Sequence, residues 1–447
     1  MADADRNLVP RCAASVIIIV ALALAIPLRS FALFGNVEGT AGLDASLRST
    51  VLGIGNYDQP LLFGDHEWDV ASQTVLRVVV AGHPSESCKY ELHAVQMLEQ
   101  STAAAGVTTD LAPFARVAHR ESRYRAFDLT WLQDDRGEWR SSLEADRANA
   151  TMSFGSIDVT AGRQAITFGQ TFFWSPLDVF SPFGALQFDR DYKAGVDALR
   201  VDTEFGALTG LTLVAAAGRT VDATGDVQQN GFLDASWTGS AVLARLFTSL
   251  AGWDLDFQAG KIFGGWQTGL GATGDLHGVD VRLEATALLE DSSPPLVLNS
   301  RMPTPDQVEN AASVVLGIGR RFENTLDLHA EYFFNGGGDD NDLATSLARV
   351  SGGTLLAASR HLIGATAAYD LLPILVGRVS WTVSLEDGSG QIQPGITWSA
   401  ANNIEVLLGA IISYGDHPRT LASDALEFRS EYGAYPSVLY LEPKVYF

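Results

Sequence analysis

The residues of this chain with chemical potential are ionisable side chains set at every second position. Asp280, Arg282 and Glu284 alternate with Val279, Val281, Leu283 and Ala285. Asp327, His329 and Glu331 alternate with Leu326, Leu328, Ala330 and Tyr332, and Arg200, Asp202 and Glu204 alternate with Leu199, Val201 and Phe205. Asp254 and Asp256 stand between Trp253, Leu255 and Phe257, while Lys261 and Arg378 belong to similar segments. Rows of this kind carry field chemistry rather than bond-making chemistry. Opposed acids and bases select passing solutes by charge and dipole, or they pair across strands and hold a wall together; both readings stand.

Covalent and metal chemistry have less to rest on. None of the 8 His has metal-ligand spacing or an evident nucleophile beside it, and neither CxxC nor CxxCH occurs. Gly269-Leu270-Gly271-Ala272-Thr273-Gly274 matches a dinucleotide fingerprint, but that fingerprint needs a following helix and here more strand follows. The acidic run Gly336 to Asp342 lacks the spacing and closing Glu of a calcium loop and reads as a flexible surface loop. Asn149-Ala150-Thr151 matches a glycosylation acceptor but sits inside a strand pattern. No metal, no cofactor and no enzyme activity are expected; a hydrolase at the rim stays open only because such sites are recognised by geometry, not by residue order.

Period two dictates the element that positions these charges, because successive side chains of a strand point to opposite faces. Each segment therefore has one apolar and one charged wall. A soluble sandwich shows the same alternation. Three features favour a bilayer instead. The segments run to about 9–12 residues, the length of a tilted crossing strand. They recur along the chain with no helical stretch between. Aromatic residues stand at their ends, as in Trp253, Tyr332-Phe333-Phe334, Trp381, Trp398, Tyr414 and Tyr446-Phe447, which suits interfacial girdles. Closure of the sheet would also remove its edges.

Composition agrees. The 447 residues carry 30 Lys+Arg against 53 Asp+Glu, a net charge of −23, which excludes a phosphate-binding basic face and so nucleic acid. Hydrophobic residues make up 47%, yet the repeated apolar runs of about 20 residues that a helical transporter needs are missing. Residues 1–32 read as a signal peptide: Arg6 and Arg11, the apolar run Ala13 to Ile26, then Pro27 and the small-x-small Ser30-Phe31-Ala32. Cleavage would remove Cys12 and leave Cys88 alone, so no intrachain disulfide is expected.

At the other end, Leu439, Leu441, Val445 and Phe447 share one face of a strand and Tyr440, Glu442, Lys444 and Tyr446 share the other. A terminal amphipathic strand ending in Phe resembles the signal by which outer-membrane barrels are recognised for assembly. The resemblance implies Tyr440 and Phe447 as its residues and the barrel-assembly machinery as a partner.

Roughly 19 segments start near residues 37, 68, 88, 123, 141, 157, 196, 209, 239, 253, 267, 278, 311, 325, 360, 374, 391, 403 and 436, whereas single-chain bacterial barrels have even numbers. Turn–loop alternation fails between 99 and 156, so either that stretch is overcounted or 37–50 is not a strand. The expectation is an all-β, single transmembrane antiparallel barrel over 33–447, with about 18 strands (16 as the alternative). Tight connections at 206–208, 322–324, 371–373 and 400–402 read as periplasmic turns. Long ones at 51–67, 99–117, 170–195, 220–238, 290–310, 336–359 and 414–435 read as extracellular loops.

One stretch stands out. Gly162-Arg163-Gln164 ends a strand, and the following residues include Trp174-Ser175-Pro176-Leu177-Asp178, Phe180, Phe183 and Asp189-Arg190-Asp191-Tyr192-Lys193. Its apolar content is odd for a loop in water and suits one folded into a lumen. This stretch resembles porin-like outer-membrane proteins of Gram-negative bacteria, in which a Gly-Arg-Gln strand precedes an inward loop that narrows the pore. The resemblance covers about thirty residues closely. It implies Arg163, Asp178, Arg190, Asp191 and Lys193 at a constriction, although Arg163 shares parity with apolar Ile157, Val159 and Ala161 unless a bulge near Gly162 turns it inward. The alternative is a loop that only caps or braces the barrel.

Charges cannot face lipid cheaply, so Arg200, Asp202, Glu204, Asp280, Arg282, Glu284, Asp327, Glu331 and Arg378 are expected to line the lumen. The acidic excess suggests mild cation preference. The expected function is passive diffusion of small hydrophilic solutes across the outer membrane, in contact with its lipids and lipopolysaccharide, as a homotrimer or a monomer. A non-conducting structural barrel is the alternative.

Overall fold

Alternation of apolar and polar residues leaves each strand one greasy and one wet face, and a sheet of such strands loses its exposed edges by closing on itself. The computed structural model describes residues 34–35, 41–102, 123–136, 139–180, 182–218, 235–291, 308–423 and 425–447. Eighteen antiparallel strands form a closed barrel. They are β1 (Ala41–Gly55), β2 (Trp68–Ser85), β3 (Cys88–Ser101), β4 (Trp139–Phe154), β5 (Ile157–Gln164), β6 (Val196–Glu204), β7 (Thr209–Ala216), β8 (Ala241–Leu250) and β9 (Trp253–Ile262). The circuit continues with β10 (Gly265–Asp275), β11 (Asp280–Glu290), β12 (Ala311–Arg321), β13 (Asp327–Asn335), β14 (His361–Leu372), β15 (Leu375–Ser384), β16 (Gly390–Ala401), β17 (Ile404–Tyr414) and β18 (Ser437–Tyr446). Each pairs with the next, and β18 closes on β1, where Tyr440 faces Leu52 and Lys444 faces Arg48.

The even count resolves the parity conflict of the sequence. The 37–50 segment is a barrel strand, beginning at Ala41. The 123 segment is not: among the described residues its strand is Thr130–Asp135, set against residues 140–144 of β4. β5 leaves β4 at Ala148, so this short strand fills the place that β5 vacates.

Connections alternate as expected. Eight are tight and share one end of the barrel with the C-terminus, where the Phe447 amide donates to the Ala45 carbonyl at 2.8 Å. Ala251 and Gly252 have φ of 52° and 83°, the doubly left-handed pair of a two-residue hairpin. The other end carries the long connections, broken by tight turns at 263–264 and 385–389. Contrary to the expectation of a flexible surface loop without helix, 336–360 contains the helix Leu343–Gly352, capped by Asp342 at its start and left-handed Gly353 at its end. Leu343 and Leu347 are buried in the lumen; helical spacing overrode the Gly/Asp-rich composition before it.

The charge partition follows strand parity. Leu270, Leu289, Leu316, Ile318, Ile392, Ile396 and Leu408 are exposed on the outside. Glu284, Glu331, Asp256 and Glu442 are buried inside. Trp381 and Tyr414 meet on the outer face at 2.8 Å, whereas Phe333 and Tyr446, grouped with the girdle by sequence, point inward to Trp174 and Asp191. No helix among the described residues is long and apolar enough to cross a membrane.

Candidate functional site

The lumen is crossed by the connection 165–195, which leaves β5 and returns at β6. Its start is a close backbone approach: a Cβ on Gly162, whose φ is +114°, would lie 2.2 Å from the Ala148 carbonyl oxygen. The apolar residues that made this stretch odd for water pack on two different parts of the wall. Ile166, Phe168 and Phe180 join Val196, Ala198, Val214, Ala241 and Leu243 of β6–β8. Phe173, Trp174 and Leu186 join Leu52, Phe333, Leu407, Ile411 and Tyr440 of β1, β13, β17 and β18. Trp174 stacks on Phe333 at 5.4 Å and Phe188 on Tyr440 at 4.2 Å. Each such buried side chain is worth about 1.5–3 kcal/mol, which accounts for a loop leaving water for the barrel interior.

Wall carboxylates meet the polar backbone of the loop. Glu284 of β11 accepts the amides of Gln170 at 2.6 Å and of Thr171 and Leu177 at 3.1 Å, and the Ser175 hydroxyl at 3.0 Å. Glu331 of β13 accepts the amide of Phe173 at 2.8 Å and that of Phe172. The Gln170 amide group donates to Asp256 of β9. Near the return, Lys444 holds Asp189 and Asp191 at 2.8 Å each, and Arg48 pairs with Asp189.

The structure separates the five residues assigned to a constriction. Arg163 is 2% exposed and sits in the wall, not at an opening: its guanidinium binds Asp197 of β6 at 2.7 and 3.0 Å, the Ala145 carbonyl at 3.1 Å and the Phe127 carbonyl at 2.5 Å. No register shift turns it inward, since β5 pairs without interruption on both sides. The segment around Phe127 covers it instead. Asp178 and Lys193 form a buried pair at 2.5 Å within the loop. Arg190 donates to the carbonyls of Phe172 (2.8 Å), Ala185 (2.9 Å) and Gly184 (3.1 Å). Asp191 faces the lumen, bonded to Lys444 and to the Tyr446 hydroxyl at 2.9 Å.

Among the residues assigned to the lining, Arg200 pairs with Asp202 at 2.7 Å and Asp327 with His329 at 3.0 Å. Glu204 lies at the turn end of β6 and Asp280 at the start of β11. Arg282 and Arg378 have inward parity, and among the described residues neither has a carboxylate at ion-pair distance. Glu284 and Glu331 are buried under the loop. Lys261 is outward by parity and buried: it caps the carbonyls of Thr238, Ser240 and Ile262 beneath Trp237.

Sequence reasoning missed a charged network beside Arg163. Arg125 binds Glu144 at 2.5 Å and Asp146 at 2.9 Å, and Arg77 binds Asp146 at 2.6 Å. Arg77 also lies 4.1 Å over the Tyr192 ring. Arg48, Arg77, Asp191, Tyr192, Lys444 and Tyr446 line a small, partly open cleft. Strand parity places Lys444 on the face of Tyr440 and Glu442 and could have flagged Arg48; nothing in the pattern marks Arg125. Among the described residues no group of His, Cys, Asp and Glu could hold a metal ion.

No protein-family model matches the chain, and no curated protein sequence matches it significantly. In structure it is similar to Acinetobacter baumannii OccAB2 (TM-score 0.56, 8% identity, covering 91% of this chain and 98% of that one). It is also similar to A. baumannii OccAB4 (0.53, 8%, 92% and 100%) and to Pseudomonas aeruginosa OccK5, also called OpdH (0.52, 9%, 93% and 99%). At such identities the likeness is one of fold.

Proposed function

We propose that this chain is an outer-membrane porin through which small hydrophilic solutes diffuse passively. The observation that carries the reading is a charged lumen inside an apolar outer wall, crossed by a loop that the wall itself anchors. Selectivity would come from the field of Asp191, Arg200, Asp202, Glu204, Asp280, Arg282, Asp327 and Arg378 around the space the loop leaves. The purified barrel in a planar bilayer is expected to give discrete conductance steps. A silent bilayer would instead favour a non-conducting structural barrel, which the apolar clusters at the loop end support.

The same reading takes residues 1–32, outside the described residues, as the export signal, and Tyr440 and Phe447 as the mark read by the barrel-assembly machinery. Lipopolysaccharide and phospholipid would contact the outer wall. Of the two expected forms, homotrimer and monomer, an assembly of several copies is supported by one part of that wall. Gln96, Gln133 and Ser141 bond one another on the outside of β3–β4 at 2.7–3.2 Å, and Ser49 bonds Thr74 on β1–β2 at 3.0 Å. Polar side chains of this kind gain more against another barrel than against acyl chains.

A further inference from the structure

Glu284 and Glu331 have no Lys, Arg or His at ion-pair distance among the described residues, although both are buried. Buried carboxylates of this kind are costly unless donors surround them. Here the donors belong to the loop: the amides of Gln170, Thr171 and Leu177 with two hydroxyls for Glu284, and the amides of Phe172 and Phe173 for Glu331. The wall is also cut away to receive the same residues. A Cβ on Gly269 would lie 2.6 Å from Leu177, and one on Gly364 would lie 2.6 Å from Phe173. Acids and missing side chains thus mark one seat for 170–177, on strands far around the barrel from β5.

We infer that Glu284 and Glu331 are a two-point clamp that holds 170–177 across the lumen and thereby sets the size limit and charge selectivity of the passage. They are positioning residues: they need not touch the solute. This inference rests on the porin reading. Apolar packing alone is the rival account, because Phe168 and Phe180 would hold the first part of the loop without any carboxylate.

Glu284→Gln and Glu331→Gln keep side-chain volume but replace an oxygen that accepts amide protons with a group that donates them. Both variants, and the double variant, are refolded and checked as folded barrels by heat-modifiable gel mobility. In a planar bilayer the clamp predicts higher conductance, more open-channel noise and passage of larger neutral solutes, greatest in the double variant. Trypsin acting at Arg190 and Lys193 of the folded protein reads the loop without any current. Loss of several charge-assisted bonds should speed that cleavage by about tenfold or more. Ser175→Ala, which removes only a loop donor, should move both readouts less and in the same direction; it serves if the wall variants do not fold. Wild-type conductance, exclusion limit and trypsin resistance in the variants would overturn the clamp. A wild-type barrel that passes no current would sink the porin reading, while the trypsin result would still decide whether the clamp exists.

Discussion

Arg163 and Lys261 each follow a glycine with positive φ, +114° at Gly162 and +156° at Gly260. Each sits at the loop end of its strand, and each is buried on the side that alternation assigns to the outside. Chain from elsewhere does the burying: the Arg163 guanidinium reaches the Phe127 carbonyl 36 positions away. Arg163 and Asp197 therefore close the notch left where β5 ends and β4 continues. Removing one partner of a buried pair strands the other and costs about 3–5 kcal/mol. Asp197→Asn is expected to lower the temperature at which the folded barrel converts to the unfolded band on a gel, and Arg163→Met with Asp197→Leu to recover most of the loss. An unchanged midpoint in Asp197→Asn would show that water reaches the pair. The Gly-Arg signal was legible in sequence, but its destination depended on a cover that alternation cannot reveal.

Strands were legible because each carries its own period. The exception is instructive: Thr130–Asp135 is a strand that pairs with β4 on one side, in the seat that exists only above the end of β5. Loops were less legible. In 336–360, Asp342, Leu343, Leu347 and Gly353 are cap, buried face and stop of a helix, masked by the Gly and Asp residues before them. Its partner was beyond sequence. Glu431 of the connection 415–436 accepts the amides of Ala358 at 3.0 Å and Ser359 at 2.7 Å, and its own amide donates to Asp387 at 2.7 Å. Burial pushes its carboxyl up from 4.5 to about 7, against the pull of those amides and with the push of Asp387. A raised pKa means the closed arrangement favours the protonated acid. Stability of the three-loop knot is therefore full below about pH 4.5 and declines as pH rises towards 7, by at most about 1.4 kcal/mol per pH unit. Hydrogen exchange at the Ala358 and Ser359 amides, corrected for its intrinsic pH dependence, should accelerate from pH 5 to pH 7.5, and Glu431→Gln should flatten the profile. Equal slopes in the two proteins would remove Glu431 from the knot.

At the scale of the whole molecule one partition organises the rest: apolar side chains outward, ionised ones inward, around a closed circuit. That was readable from the chain because it repeats in every strand. What fills the interior was readable only as an oddity of the composition of 162–193, since its seat is built from glycines and acids on strands more than 80 residues further along. The partition can be tested within one strand. Ile396 is 42% exposed on the outer face near the middle of β16, and its neighbour Thr397 points into the lumen. An arginine at the bilayer midplane costs about 2–4 kcal/mol on the lipid face of a barrel and far less where water reaches it. Ile396→Arg should therefore lose about that much in reversible urea unfolding from lipid vesicles. Thr397→Arg should stay close to wild type in stability and shift ion preference towards anions. If the two substitutions cost the same, the outer wall does not face hydrocarbon, and a soluble or protein-covered cylinder replaces the membrane pore.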